Sequence, residues 1–328
     1  MRRRDFIKAV AVVATASPLA ARAQQSALPV VGFVNAEAAN SEYGSMAVLF
    51  RDGLGEAGFI DGKNVTVENH WADSHYERLP AMLSELARRH VAVIVATTTP
   101  AALAAKATVT TVPVVFETGG DPIGHGLVSS LSHPGGNITG VSQSNQEVAP
   151  KRLELLHETL PQAKVIALLV NSRDPALAAN IVTLLRAAAQ DLGVELGIFE
   201  VQSEGDFDKA FAGAVKMGAT GLIIGDDPFL TSHTQELGAL AARYGIAAIY
   251  KGREFVKAGG VMSYGTVVGD TYRLAGVYAG RILKGDKPGD LPVQRASKVE
   301  LFINLKSAKA LGVKIPLPLS GRADEVIE

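Results

Sequence analysis

Short polar side chains follow several apolar runs of this sequence, and they are the residues best suited to chemistry. Hydroxyl, amide and carboxylate groups, with a few aromatic rings, stand where aliphatic runs typical of buried strands end. In α/β folds, ligands bind at the carboxyl ends of parallel strands. We therefore select as candidate ligand-binding residues Asn35, Thr98, Thr99, Phe116, Thr118, Asp121, Asn171, Asp226, Asp227, Tyr250 and Tyr264.

These groups suit the binding of a small zwitterion. Thr97–Thr99 precedes a helix pattern, and the free N–H groups and positive dipole end of a helix favour a carboxylate. In this interpretation Thr98 and Thr99 donate to the carboxylate, while Asp121 or Asp227 accepts from an ammonium group. The alternative is structural: Thr99 only caps its helix, and the other polar residues solvate loops. The wall against a ligand ring would be formed by Phe116, Tyr250 or Tyr264.

The motifs that could indicate a cofactor site or a catalytic site do not lie in the sequence context that such sites need. Gly53–Gly58 matches the pattern GxGxxG, but a dinucleotide site needs a strand before it and a helix opening on it. Here Tyr43–Gly55 reads as the helix, and Gly58 stands where a C-terminal glycine ends it. The pair Asp226-Asp227 leaves a strand ahead of Pro228, which suits a turn or a ligand contact better than catalysis.

Other classes of site are also absent from the sequence pattern. The seven histidines are scattered and the chain has no cysteine, which argues against a zinc site and against disulfides. There is no Walker A loop and no GxSxG motif. A net charge of −1 gives no basic surface for nucleic acid. We therefore predict a protein that is not an enzyme, has no cofactor or metal, and binds no nucleic acid.

The first 23 residues differ in charge from the rest of the chain. They hold five of the 32 basic residues and one of the 33 acidic ones, a net charge of +4, so the remainder carries −5. A basic start, the apolar stretch 9–21 and the small residues Ala21 and Ala23 indicate a secretory signal. Arg3-Arg4-Asp5-Phe6-Ile7-Lys8 resembles the twin-arginine consensus; the alternative is an Arg-rich Sec signal.

The absence of cysteine from an exported protein bears on where the mature protein resides. The chain lacks the cysteine that a lipoprotein anchor needs, and the apolar part of the signal is shorter than the roughly 20 residues of a membrane span. The mature protein is therefore expected to diffuse freely in the periplasm, with no membrane insertion after removal of the signal. We also expect it to be a monomer.

Strand and helix patterns alternate along the rest of the sequence. Asp174-Pro175 and Thr99-Pro100 read as N-caps followed by proline, and amphipathic segments such as Leu177–Ala188 separate the apolar runs. This alternation predicts a doubly wound α/β fold. The predicted strands are 29–34, 91–96, 112–116, 165–170, 219–224, 246–249 and 299–303.

The alternation runs in two blocks with a returning C-terminal section, which suggests two Rossmann-like lobes joined by a hinge, with a ligand site between them. We expect residues 1–23 to be the signal peptide. Lobe 1 would comprise residues 28–144 and about 268–295, and lobe 2 residues 145–267 and about 296–328.

Several motifs resemble the ABC transporter substrate-binding family that includes tryptophan- and tyrosine-binding periplasmic proteins. The resemblance covers about residues 28–315. It is carried by Val112-Pro113-Val114-Val115-Phe116, Asp121-Pro122-Ile123, Pro134-Gly135-Gly136-Asn137-Ile138-Thr139-Gly140-Val141-Ser142, Gly259-Gly260-Val261-Met262-Ser263-Tyr264-Gly265, Ile282-Leu283-Lys284-Gly285, Ile303-Asn304-Leu305-Lys306 and Ala308-Lys309-Ala310-Leu311-Gly312.

The resemblance implies a type I periplasmic-binding-protein fold with two α/β lobes, three hinge strands and a solute trapped by closure. It implies a receptor that delivers a small organic solute, amino-acid-like or an aromatic carboxylate, to an inner-membrane ABC permease. Asn171-Ser172 matches the family's strand-end loop, but Arg173-Asp174-Pro175 stands where Glu-Pro-Asn-Ser is usual, so amino-acid specificity is left open. The rival hypotheses are a periplasmic sensor for a signalling partner and an exported α/β enzyme.

Overall fold

The computed structural model describes residues 28–296 and 298–328, so the predicted signal segment 1–23 lies outside the described residues. In the described part of the chain, thirteen strands form two sheets. The strands are β1 (Val30–Asn35), β2 (Thr66–Trp71), β3 (Val93–Thr97), β4 (Val114–Thr118), β5 (Ile138–Ser142), β6 (Val165–Asn171), β7 (Glu195–Val201), β8 (Gly221–Ile224), β9 (Ala247–Tyr250), β10 (Met262–Thr266), β11 (Gln294–Arg295), β12 (Val299–Asn304) and β13 (Glu325–Ile327).

The helices cover both faces of these sheets, as the alternating sequence pattern predicts. They are α1 (Glu42–Glu56), α2 (Leu79–Arg88), α3 (Thr99–Thr108), α4 (Ala149–Thr159), α5 (Pro175–Leu192), α6 (Phe207–Lys216), α7 (Pro228–Ser232), α8 (Thr234–Tyr244), α9 (Arg253–Lys257), α10 (Val268–Leu283), α11 (Leu305–Ala310) and α12 (Leu317–Ser320). Short 3₁₀ turns are formed by Tyr76–Arg78, Glu204–Asp206 and Pro288–Asp290.

The first sheet has the strand order β11-β5-β4-β3-β1-β2, and all of its pairs are parallel. Its register sets Asn35 opposite Thr97, and Thr97 opposite Glu117. These three residues therefore form one row at the carboxyl edge of the sheet. Strands β3, β4 and β5 are buried along their whole length, which is why they read as continuous apolar runs.

The second sheet has the order β13-β12-β10-β9-β8-β6-β7. Strand β12 runs antiparallel to β10, and the other pairs are parallel. Each sheet has a hydrophobic core on both faces, so the molecule consists of two α/β lobes, and the predicted fold class is confirmed.

Two helix starts test the predicted capping. Asp174 is the N-cap of α5, where its side chain accepts from the N–H of Leu177 at 3.0 Å, as predicted. The prediction for Thr99 is wrong by one residue. Thr98 is the N-cap of α3 and Thr99 is the first helical residue, because the backbone turns at Thr98 with φ of 87°.

The glycines of the rejected GxGxxG segment serve the packing of α1. A Cβ on Gly53 would lie 1.8 Å from the carbonyl oxygen of Arg273 in α10, so only glycine allows these two helices to approach so closely. A Cβ on Gly276 in α10 would likewise clash with the carbonyl oxygen of Phe50. Gly58 follows the end of α1 with φ of 91°, which fits a helix C-terminus and not a pyrophosphate loop.

The chain passes between the sheets three times. It crosses after β5, again between β10 and α10, and finally between β11 and β12. The carboxyl ends of the parallel strands of both sheets face each other across a cleft beside these crossings. No helix in the described ranges is both long enough and apolar enough to cross a membrane.

Candidate functional site

A small cavity of about 20 Å³ lies between the two lobes at the strand ends. The first lobe provides a hydroxyl-rich wall and an acid, and the second lobe provides an acid and a lysine. The residues that line the cavity are Tyr43, Thr98, Thr99, Glu117, Gly119, Gln143, Asp226, Pro228 and Lys251.

The hydroxyl-rich wall is built by the turn from β3 into α3. Thr98 is buried, its backbone N–H donates to the carbonyl oxygen of Glu117 at 2.9 Å, and its Oγ1 has no hydrogen-bond partner among the described residues. The Oγ1 atoms of Thr99 and Thr118 lie 2.8 Å apart. Pro100 has no N–H, so the N–H groups at the start of α3 that lack partners within the helix are those of Thr99 and Ala101, and with the hydroxyls they make this wall rich in donors.

Glu117 is the acid of the first lobe. Its Oε1 accepts from Gln143 Nε2 and, at 2.8 Å, from Thr271 Oγ1, while its Oε2 has no partner in the described part of the chain. The carboxyl group is fully buried, and loss of solvation raises the pKa of Glu117 to about 7. Glu117 can therefore accept from a ligand when ionised and donate to one when protonated.

The second lobe brings a buried ion pair to the opposite wall. Lys251 Nζ donates to Asp226 Oδ1, and Asp226 Oδ2 is buried without a described partner. A Cβ on Gly119 of the first lobe would lie 3.3 Å from this Oδ2, so glycine permits the lobes to approach here. A buried carboxylate with one oxygen free is a strong acceptor for an ammonium group.

Asp227 follows Asp226 in the sequence, but its hydrogen bonds are to groups of its own lobe. Its Oδ1 accepts from Asn171 Nδ2 at 3.0 Å and from the N–H of Leu230 at 3.2 Å, which caps α7. Burial raises the pKa of Asp227 to about 7. It faces a space inside the second lobe near Leu177, and it is not among the residues around the central cavity.

The outer edge of the cleft is bridged by further polar contacts. Glu37 accepts from Ser74 at 2.6 Å, from Tyr76 at 3.0 Å and, across the cleft, from Ser232 at 3.3 Å. Arg173 of the second lobe donates to the carbonyl oxygen of Ser74 at 3.3 Å. We call the Glu37–Ser232 and Arg173–Ser74 hydrogen bonds the rim contacts.

Some predicted site residues support the cavity from behind. Asn35 Nδ2 donates to Thr97 Oγ1 at 2.8 Å and lies 3.4 Å from the hydroxyl of Tyr272. Thr118 Oγ1 accepts from the N–H of Gly120 at 3.2 Å and holds the loop after β4. Asn171 orients Asp227 as described.

The predicted ring wall is not at the central cavity, and its assignment is corrected here. Phe116 is buried in the core of the first lobe, on the face of β4 that packs against α3. Tyr250 is buried in the core of the second lobe, where its hydroxyl lies 2.8 Å from Thr231 Oγ1. Tyr264 packs against that lobe's other core cluster. Tyr43 is the aromatic residue that does line the cavity.

Asp121 lies in a neighbouring space between the lobes. Its Oδ1 accepts from the N–H of Ile123 at 3.0 Å, and it borders a larger cavity with His125, Gln146 and Asn180. Asp121 is therefore not brought together with Thr98 and Thr99.

The candidate residues selected from the sequence omit five that the structure brings to the cleft: Glu37, Tyr43, Glu117, Gln143 and Lys251. Tyr43 stands in the first turn of α1 and Glu37 in a loop, so neither directly ends an apolar run. A usable signal existed for Gln143, because it directly follows the apolar β5. In the described residues, Glu204, His233 and Glu236 form a surface group able to hold a metal ion, but it is separate from the cavity.

A family model described as ABC transporter substrate binding protein matches residues 29–327. The chain belongs to that family. This substrate-binding protein is 26% identical over 267 residues to a tyrosine-binding protein of Clostridioides difficile, a match that covers 81% of this chain and 76% of the relative.

Solved structures agree with this assignment. A conserved domain protein from Vibrio cholerae superposes with a TM-score of 0.83 at 25% identity, covering 91% of this chain and 99% of that one. The ABC domain from Streptococcus pneumoniae in complex with L-Trp gives a TM-score of 0.81 at 25% identity, covering 92% and 100%. The type I periplasmic-binding fold expected from the resemblance is confirmed.

Proposed function

We propose that this substrate-binding protein captures an aromatic amino acid or a close analogue between its lobes and delivers it to an inner-membrane ABC permease. The observation that carries the proposal is the pairing of two unlike walls at one cavity. Donor groups at the start of α3 face two buried acids with free oxygens, Glu117 and Asp226. A zwitterion is the small organic ligand that satisfies both walls.

The carboxylate would be held by Thr98, Thr99 and the N–H groups at the start of α3. A helix N-terminus favours a negative charge, and the unpartnered Oγ1 of Thr98 supplies a further donor. The ammonium group would be held by Asp226 Oδ2 and Glu117 Oε2. The ligands named for the relatives, tyrosine and L-Trp, contain both groups.

Capture would proceed by a shift between open and closed forms. A ligand that contacts Thr98 of the first lobe and Asp226 of the second gains its full set of hydrogen bonds only when the lobes are together, so its binding favours closure. The lobes are proposed to comprise residues 28–144 with about 268–295, and 145–267 with about 296–328. The membership of the two sheets supports this division. The proposed setting is the periplasm, with the protein acting as a monomer.

The test is calorimetric titration of the protein with L-tyrosine and L-tryptophan, alongside tyramine and tryptamine, which lack the carboxylate, and 3-phenylpropionate, which lacks the ammonium group. We expect at least one of the amino acids to bind, and the incomplete compounds to bind at least about 10-fold more weakly, because each leaves one buried wall unpaired. Equal affinity for tyramine and tyrosine would refute the carboxylate assignment.

A matched pair of variants locates the carboxylate. Thr98→Val removes the hydroxyl but keeps the shape, and we expect affinity for the bound amino acid to fall about 10-fold, the usual effect of one hydrogen bond to a charged group. The exposed Thr110→Val is the control. Import is tested separately, by comparing uptake of labelled tyrosine in cells with and without the protein.

A further inference from the structure

A chain of buried polar side chains runs from the cavity into the hinge. Gln143 Nε2 donates to Glu117 Oε1, Asn145 Nδ2 donates to Gln143 Oε1 at 2.9 Å, and Arg152 Nη2 donates to Asn145 Oδ1 at 3.2 Å. All four side chains are at most 4% exposed. We call Glu117, Gln143, Asn145 and Arg152 the hinge cluster.

The hinge cluster ties the first two crossings together. Gln143 and Asn145 lie on the first crossing, just after β5. Asn145 Oδ1 also accepts from the N–H of Thr266 on the second crossing at 3.0 Å. Arg152 of α4 donates through Nε to the carbonyl oxygen of Tyr264 at 2.6 Å.

The third crossing is attached to the same place. Arg295, at its start, donates through Nε to Ser144 Oγ at 3.2 Å and forms an ion pair with Glu147. Ser144 is the residue between Gln143 and Asn145. All three hinge crossings are therefore connected within a few residues of Asn145.

The direction of donation along the cluster is determined by its two ends. Arg152 and the Thr266 N–H can only donate, so the atom of Asn145 that they meet must be its oxygen. Its Nδ2 must then face the oxygen of Gln143, and the Nε2 of Gln143 must face Glu117. Glu117 Oε1 is thus always an acceptor toward the hinge, which leaves Oε2 as the atom for the ligand.

Arg152 is unusual as a structural residue. Its guanidinium is completely buried, forms no salt bridge to any described carboxylate, and leaves Nη1 without a described partner. Coulombic attraction to Asp226 is the largest influence that opposes the lowering of its pKa by burial. The desolvation cost of a buried charge offsets much of what its hydrogen bonds contribute, so we infer that Arg152 serves to orient the groups around it.

We propose that the hinge cluster couples ligand contact at Glu117 to the position of the hinge, with Asn145 and Arg152 as positioning residues away from the cavity and Gln143 joining them to Glu117 from the cavity wall. A ligand donor at Oε2 polarises and fixes the Glu117 carboxylate, and the series of hydrogen bonds then holds the crossings in their closed arrangement. The ligand part of this inference rests on the proposed function; the effect on the ligand-free hinge does not.

The test measures the distance between the lobes in the full chain. Because the sequence has no cysteine, Glu77→Cys and Lys209→Cys place one label on each lobe without other changes. Asn145→Asp keeps the acceptors for Arg152 and Thr266 but removes the donor to Gln143, and Gln143→Leu breaks the same link without adding charge. The exposed Asn69→Asp, which leaves the acceptor for Arg51 in place, controls for charge.

We call Asn145→Asp and Gln143→Leu the relay variants. We expect both to lower the closed-to-open ratio at saturating tyrosine about 5- to 100-fold, which is the fold-change that typical coupling energies produce. Asn69→Asp should leave this ratio unchanged. Far-UV circular dichroism confirms folding of each variant, and their ligand-free distance distributions should also broaden. If both relay variants have the wild-type distributions with and without ligand, the inference is overturned.

Failure of the proposed function gives a different pattern. In that case tyrosine and tryptophan change neither the wild-type distances nor the heat of titration. The ligand-free distributions then decide the inference alone: broadening in Asn145→Asp and Gln143→Leu, with none in Asn69→Asp, supports the coupling, and identical distributions refute it.

Discussion

The two lobes are joined at two sides of the cleft by very different polar contacts. The hinge cluster is buried and held by hydrogen bonds mostly between 2.6 and 3.2 Å, and it includes a charge that cannot reach water. The rim contacts are 3.3 Å long, and Arg173 and Ser232 are partly exposed. Water can replace the rim contacts but not the hinge cluster, so breaking the rim contacts on opening should cost less than breaking any hydrogen bond of the hinge cluster.

The largest difference should appear when one arginine is removed from each side. Arg152→Met removes the donors to the Tyr264 carbonyl and to one side of Asn145 Oδ1 in a dry interior, and we expect the free energy of unfolding to fall by about 2–4 kcal/mol. Arg173→Met, at the rim, should cost less than about 1 kcal/mol. Urea unfolding of the two variants measures both, and equal losses would remove the distinction between the two sides.

The centre of the cleft should respond in ligand affinity. Asp226→Asn removes the charge that faces the proposed ammonium group and leaves Lys251 unpaired, so we expect tyrosine to bind about 10- to 100-fold more weakly. Asp121→Asn, in the neighbouring cavity, is the control and should bind normally. An unchanged affinity in Asp226→Asn would place the ammonium group elsewhere.

The buried acids predict a pH dependence with a definite sign. Burial raises the pKa of Glu117 from 4.5 to about 7, so the folded protein holds a proton that the unfolded chain has lost over this range. The free energy of unfolding of the ligand-free protein should therefore fall as the pH rises from about 4.5 to about 7, by on the order of 1–3 kcal/mol for this group.

Glu117→Gln should make the free energy of unfolding depend less steeply on pH. The part of the pH dependence that comes from the buried Asp227, whose pKa is raised for the same reason, should remain. Urea midpoints at pH 5 and pH 7.5 measure the difference between wild type and variant. A slope that is unchanged in Glu117→Gln would mean that Glu117 is ionised in the folded protein throughout this range.

The smallest effect is expected from a single rim hydroxyl. Ser232→Ala removes the weak donor to Glu37, so the closed-to-open ratio of the ligand-free protein should fall about two- to fivefold, as for one modest hydrogen bond. The unfolding free energy should change by less than about 0.5 kcal/mol, because the site is partly wet. The interlobe label pair reads the first quantity and urea unfolding the second. A larger loss in stability would show that the rim is structural.

The strand ends explain what the sequence could predict of this site. Apolar runs locate buried strands, and the carboxyl ends of parallel strands share an edge, so Thr98, Thr99 and Asp226 were predictable as neighbours of a cleft. The same logic failed for Phe116 and Tyr250. Both side chains point from the face of the strand into the core beneath the helices, and not toward the cleft. The sequence pattern does not show which face of a strand each helix covers.

Contacts between the hinge crossings or between the lobes could not be predicted from the sequence. Arg152 stands in an amphipathic helix, where an arginine normally lies on the solvated face, and nothing local indicates that it is buried against Asn145. Glu37 and Ser232 are 195 positions apart, and their contact depends on how the two lobes close.

The two late crossings have a consequence for how this chain folds. Strand β11 pairs with β5, α10 packs against α1, and β12 completes the second sheet, so both lobes need residues beyond position 267. Neither sheet can be finished until nearly the whole chain has been synthesised, and in the first lobe the loop that joins β5 to β11 spans more than a hundred residues. The two halves of the receptor should therefore reach their native state together and late, as one cooperative unit, and a chain cut before α10 should leave both unfinished.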